Sequence, residues 1–102
     1  MKRGDVWWAE LEQKRRPVLV LTRDPVAGRI DKVTVASITT RAHDLPTEVV
    51  LGPTDGMPKV CVVSLDNVRT VHRNLLEHPI TSLSRRRMDE VCRALDYALG
   101  CS

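Results

Sequence analysis

The sequence predicts an α+β domain: a small, strongly bent antiparallel β-sheet or barrel followed by one C-terminal α-helix. Three observations lead there. Short segments rich in β-branched residues recur from residue 6 to residue 83, punctuated by turn residues. Met88, Val91, Cys92, Leu95, Ala98 and Leu99 then recur at spacings of three and four, the apolar stripe of a packed helix. The 102 residues suit one domain over 1–102, and 42% hydrophobic with 28% charged residues is the composition of a folded protein rather than a disordered one.

The elements follow in chain order. Gly4-Asp5 is a turn signal ahead of a first strand at 6–11. A polar turn at 12–16 leads to a strand at 17–22 that is apolar on both faces and so central in the sheet. Pro25 and Gly28 mark residues 23–31 as a loop. Residues 32–40 are dense in β-branched side chains and form the longest strand. A strand at 47–51, a turn at Gly52 to Gly56 and an apolar strand at 60–65 come next. Residues 66–71 read as a short irregular strand, 72–76 as a helical turn and 80–83 as a last strand. Ser84 is suited to cap a helix over 85–99, and Gly100 to stop it. Trp7 and Trp8 are adjacent on a strand and must face opposite sides.

Composition narrows the function classes. A formal net charge of +3 and a pI near 9.0 are compatible with nucleic acid or an acidic protein partner. No apolar run reaches membrane-spanning length and no signal-peptide pattern opens the chain, so a cytoplasmic protein is expected. Cys61, Cys92 and Cys101 are odd in number and lack ligand spacing, so reduced core thiols are expected, with no metal site. His43, His72 and His78 share no triad or ligand spacing and read as surface residues. Arg85-Arg86-Arg87 lie in the first helical turn, where cations oppose the macrodipole, and read as a solvated face.

The residue pair with most chemical content is Arg16-Pro17. Pro17 is expected at the first position of its strand, because it has no N–H for a ladder. It holds Arg16 in an extended backbone at the sheet rim. A permanently charged, planar fork of donors fixed there suits a phosphate.

Three ordered signatures extend this reading. Lys2-Arg3-Gly4-Asp5-Val6-Trp7-Trp8 opens the chain. Arg16-Pro17-Val18-Leu19-Val20-Leu21 follows, with Ala36-Ser37-Ile38-Thr39 beyond it. Pro46-Thr47-Glu48-Val49 and Asp66-Asn67-Val68-Arg69-Thr70 precede the terminal helix. In this order, across nearly the whole chain, they resemble the MazF/PemK (Kid) family of bacterial toxins. The resemblance implies an SH3-like barrel with a terminal helix, a homodimer, and a metal-independent endoribonuclease that needs no cofactor. It also implies a cognate antitoxin whose acidic, flexible C-terminal segment blocks the RNA site.

Matched by motif, the resemblance places Arg16 and Thr39 at the scissile phosphate and Asp66 at the position of the Kid-type acid. Lys14, Arg15 and Arg69 are the candidate RNA-binding cations, with Arg69 also suited to bracing the barrel or dimer. The chain departs from Kid-type toxins at Ser64, where they carry a basic residue, and in a first loop shortened to Glu12-Gln13-Lys14-Arg15. The implied chemistry is attack of the RNA 2′-hydroxyl on the neighbouring phosphate, giving a 2′,3′-cyclic phosphate and a 5′-hydroxyl. Glu48 and Asp66 are the candidate bases, and substrate-assisted proton transfer is an alternative. Two other functions stay open: a gyrase poison of the CcdB type on the same barrel, and a catalytically silent module that binds RNA or antitoxin.

Overall fold

A computed structural model describes residues 1–23 and 31–100. Most of the expected loop at 23–31, and Cys101, lie outside the described residues. Six strands, β1 (Asp5–Leu11), β2 (Lys14–Val20), β3 (Lys32–Thr39), β4 (Glu48–Leu51), β5 (Cys61–His72) and β6 (Leu76–Ser82), precede α1 (Arg85–Leu99). They form one antiparallel sheet in the order β4-β5-β3-β2-β1-β6, curled into a half-barrel.

The first hairpin is tighter than the sequence suggests. Its turn is Glu12-Gln13 alone, and both residues are left-handed, with φ of 53° and 64°. Two-residue hairpins of this hand usually carry Asn or Gly, and this one carries neither, so β2 begins at Lys14 rather than Pro17. The Glu12 carboxylate accepts from Arg69 on β5 at 2.9 Å, a tertiary tie that local preference does not announce. That partner is also the main reason the Glu12 carboxyl sits below its ordinary range.

Pro17 is therefore the fourth residue of β2, paired across to Trp8, and not its first. Val20 accepts from the Gly4 N–H and Leu21 donates to the Thr34 carbonyl. Backbone groups alternate along a strand, so those of even-numbered residues face β1 and those of odd-numbered residues face β3. Pro17 faces β3 with no N–H to offer. The β2–β3 ladder accordingly ends at Val18↔Ser37, and beyond it the two strands part.

The segment expected as two strands, 60–65 and 66–71, is one strand, β5, broken by a bulge. Ser37 pairs with Ser64 while Ala36 pairs with Val68, so Leu65, Asp66 and Asn67 have no counterpart on β3. Leu65 turns into the core and its N–H donates to the Thr47 carbonyl at 2.9 Å. The expected helical turn at 72–76 is a single 3₁₀ turn, Arg73–Leu75, and β6 starts four residues earlier than expected, at Leu76. Pro79 is tolerated within β6 because that strand is an edge of the sheet.

The helix has its expected bounds. Ser84 Oγ accepts from the Arg87 N–H at 3.2 Å, and Gly100 takes the left-handed C-terminal position with φ of 67°. Val91 and Ala94 are its buried residues, flanked by Met88, Leu95 and Ala98. Cys92 and Leu99, expected on the apolar stripe, are exposed instead. The small Ala94 completes the packed face, because the helix lies close against β4 and β5. Among the described residues Cys61 is the buried thiol, and burial pushes its pKa up.

Two apolar clusters lie on the two faces of the sheet. One, beneath the helix, holds Val6, Leu19, Leu51, Val63, Leu65 and Val91 among others. The second gathers Leu11, Val18, Val20, Val33, Val35, Val71 and Leu76. Trp7 packs on this second cluster while Trp8 faces the other way under Arg15, whose guanidinium lies 5.1 Å from the ring centre.

The curl is fastened where the two sheet edges meet. After β4 the chain makes a 3₁₀ turn, Pro53–Asp55, and the Asp55 carbonyl accepts from Thr81 Oγ1 of β6 at 3.0 Å. The Asp55 carboxylate takes Arg87 Nε at 2.9 Å and the Gly52 N–H at 3.0 Å. Arg87 also reaches Glu90, so this arginine of the Arg85–Arg87 run braces the fold rather than facing solvent. The Arg87 guanidinium holds the Asp55 carboxyl below its ordinary range. A depressed carboxyl adds stability above its unfolded pKa, roughly 4, and loses it as pH falls through the lower folded value. Asp55→Asn is expected to be less stable than wild type at pH 7 and to show less loss of stability between about pH 5 and pH 2, as read by urea unfolding across that range.

Candidate active site

The parting of β2 and β3 at Pro17 opens a cleft on the face of the second cluster. Arg16 stands on one wall and Thr39, the last residue of β3, on the other. Ser37 lines the floor between them, and Arg69 closes one end from β5. Arg41 and His43 enter from the loop between β3 and β4, and Glu12 from the first turn. Three guanidinium groups against one carboxylate give the cleft a positive balance suited to a polyanion.

Each side chain has a defined donor capacity. Arg16 is exposed and makes no side-chain hydrogen bond or ion pair among the described residues. Its charge is felt by Glu12, but its donors are uncommitted. Thr39 Oγ1 accepts the Arg41 N–H at 3.2 Å. A hydroxyl that accepts from the backbone keeps its own proton to donate. The cleft thus holds a planar fork of donors and one hydroxyl donor on opposite walls, the set that a tetrahedral phosphate accepts from.

The other sequence candidates are distributed differently. Arg69 reaches the cleft, where its Nη1 is held by Glu12. Arg15 points to the opposite face of β2, onto Trp8, and lines a second groove with Pro17, Met57 and Lys59. Thr39 borders both grooves. Lys14, at the start of β2, is exposed and lines neither. Asp66 lies on the β5 bulge and does not line the cleft; its carboxylate accepts from the buried Thr47 hydroxyl at 2.5 Å. Ser64 is buried and takes the Asn67 amide at 3.1 Å.

Sequence spacing gives no sign of a pair that the fold creates at the cleft. Asp44 is left-handed, with φ of 53°, a conformation that Asp tolerates. The loop folds back over Glu48, whose Oε1 accepts the N–H of His43 at 2.9 Å and of Leu45 at 3.3 Å. Its Oε2 meets His43 Nδ1 at 3.3 Å. These bonds, the His43 N–H first, keep the Glu48 carboxyl below its ordinary range. Glu48 has its lone pairs occupied and is ionised at neutral pH, which leaves it little capacity as a base.

A curled antiparallel half-barrel with a terminal helix, carrying a basic cleft with an uncommitted arginine and a threonine, defines a small domain suited to bind a polyanion. Comparison with known proteins gives the family. Residues 2–99 match the model of the PemK-like, MazF-like toxin of type II toxin-antitoxin systems. The chain is 42% identical over 102 residues to the "Probable endoribonuclease MazF2" of Mycobacterium tuberculosis, covering 99% of this chain and 100% of that one. It is 36% identical to "Endoribonuclease EndoA" of Bacillus subtilis, covering 98% and 95% of the two chains. Among solved structures, "Mycobacterium tuberculosis toxin MazF-mt6" superposes with a TM-score of 0.89 at 35% identity, covering 94% of this chain and 96% of that one. A mycobacterial "Endoribonuclease in complex with its cognate antitoxin" superposes with a TM-score of 0.91 at 25% identity, covering 100% and 97%. The chain belongs to the PemK/MazF toxin family.

Proposed function

We infer that this chain is the toxin of a type II toxin-antitoxin system, one domain over 1–102, acting in the cytoplasm as an endoribonuclease. It works as a homodimer on single-stranded RNA, and a cognate antitoxin with an acidic flexible segment silences it. The observation that carries the reading is the meeting of Arg16 and Thr39 on one cleft, opened by a proline that ends the ladder between them.

The reaction needs the 2′-hydroxyl held in line with the leaving 5′-oxygen while charge grows on the phosphate. Arg16 presents two N–H donors to the non-bridging oxygens, and Thr39 gives a third bond from its hydroxyl. Arg41 and Arg69 hold the neighbouring phosphates, and Arg15 and Lys14 extend the positive surface for the flanking chain. Orientation in such a site is worth roughly 7–11 kcal/mol at best. Neither arginine nor threonine requires a metal ion for this work, and cleavage is expected to persist in EDTA. The ends should be a 2′,3′-cyclic phosphate and a 5′-hydroxyl, read by labelling of 5′ ends with and without prior phosphatase. Thr39→Val should lower kcat on the order of 100-fold, the effect of removing one donor from a charge-stabilising set. A strict requirement for added divalent metal, or 5′-phosphate ends, would overturn the mechanism. Gyrase inhibition or RNA binding with no cleavage at all would instead select the poison or the silent module.

A further inference from the structure

We propose that His43, oriented by Glu48, is the general base that takes the proton from the attacking 2′-hydroxyl. The inference rests on the endoribonuclease reading above and supplies the proton acceptor that Arg16 and Thr39 cannot provide, since a guanidinium is protonated at all working pH values.

The tautomer follows from the hydrogen bonds. Glu48 is a carboxylate fixed by the N–H groups of His43 and Leu45, and its side chain is only 6% exposed. Its second oxygen faces His43 Nδ1 at 3.3 Å. A carboxylate can only accept, so Nδ1 carries the proton of the neutral ring and the Nε2 lone pair is left free. The ring is 60% exposed and lines the cleft with Arg16 and Thr39. A nucleophile's proton acceptor, itself oriented by a third group, is the general arrangement for activating a hydroxyl. The left-handed Asp44 makes this possible, because it brings the amides on both sides of it to one oxygen of Glu48. Glu48 is the positioning residue.

The step balances without a co-reactant other than water. The 2′-O–H bond breaks and its proton moves to His43 Nε2 as the 2′-oxygen bonds to phosphorus. The bond from phosphorus to the 5′-oxygen breaks, and that oxygen takes a proton from solvent. The imidazolium then returns its proton to water. The charged groups around the ring are Glu48 on β4, bonded to Nδ1, and, lining the same cleft, Arg16 on β2, Arg69 on β5, and Glu12 and Arg41 from the turn and loop. The nearest of these, the Glu48 carboxylate, holds Nδ1 and leaves Nε2 open to the cleft, while Glu12 is ion-paired with Arg69.

The test uses the full chain and an RNA oligonucleotide that the wild type cleaves. His43→Gln should lower kcat on the order of 100- to 10,000-fold with KM within a few-fold of wild type. Wild-type kcat should fall as pH is lowered between about pH 8 and 5, and that limb should vanish in His43→Gln. Free imidazole should restore cleavage to His43→Ala, which a merely structural histidine would not allow. Glu48→Gln should also lose kcat, because the amide can hold the opposite tautomer. Wild-type kcat or an unchanged pH limb in His43→Gln overturns the proposal. So does restoration of its rate by a substrate whose 5′-oxygen is replaced by sulfur, since that result assigns the ring to the leaving group. In either case, cleavage that still depends on Arg16 leaves the nuclease reading standing; a wild type that cuts no RNA removes that reading first.

Discussion

Arg16→Ala is expected to abolish measurable RNA cleavage while leaving the fold intact. The two halves of that expectation have separate physical grounds. Arg16 is exposed and has no hydrogen-bond or ion-pair partner among the described residues, so its removal strands no buried group and opens no cavity. A surface change of that kind moves stability by no more than about 0.5 kcal/mol. In the proposed mechanism, however, the fork of donors it presents is the main source of charge stabilisation at the phosphate. Losing one donor from such a set costs about 2.7–4 kcal/mol, and a bidentate charged fork supplies two. A rate loss on the order of 1,000-fold or more is expected, with an unchanged circular dichroism spectrum and melting temperature. Arg16→Lys should recover little, because a single ammonium cannot reproduce the planar two-point contact. Residual activity within tenfold of wild type would remove Arg16 from the site.

The second large effect concerns a residue that does not line the cleft. Gly56→Ala is expected to destabilise the protein by roughly 2–5 kcal/mol, combining left-handed strain with overpacking. Gly56 follows the 3₁₀ turn at φ of 89°, and a Cβ built there would stand 2.3 Å from Thr81 Oγ1 and 2.8 Å from Thr81 Cβ. Thr81 cannot swing clear without giving up its bond to the Asp55 carbonyl, the contact that fastens the two sheet edges. For a chain of this size the loss corresponds to a fall in melting temperature of about 10 °C or more. A double variant, Gly56→Ala with Thr81→Ala, should relieve only the clash with Oγ1, because the residue 81 Cβ, 2.8 Å from the new methyl group, remains and the bond to the Asp55 carbonyl is lost. A Gly56→Ala melting temperature within 2 °C or so of wild type would show that the turn accommodates the methyl group.

Much of this molecule was legible in its residues, for reasons that are local. Helix α1 has its expected bounds because Ser84, the apolar spacing and Gly100 act over a few residues each. The strands at Lys32–Thr39 and Glu48–Leu51 follow from β-branched density bounded by turn residues. The family motifs also led to Arg16 and Thr39, which the fold brings to one cleft. The errors share a cause. A Glu-Gln turn with both residues left-handed is held by an ion pair to a strand 57 residues away, which no window of sequence contains. The β5 bulge reads as a chain break because its irregularity is defined only by the partner strand. Arg87 reads as a solvated cation until Asp55 is brought beside it.

The residues alone carry the class: a bent sheet with a capped helix, a family, and the arginine proposed to meet the phosphate. What surrounds that arginine depends on long-range contacts. The fold moved Pro17 from the start of a strand to its middle, where the missing N–H ends a ladder and creates the cleft. It withdrew Asp66 to a bulge and brought in His43, an isolated histidine until Glu48 is folded against it. Helix caps and strand propensities are set by neighbours in the chain. Proton acceptors and cleft walls are set by groups that meet only when the sheet curls.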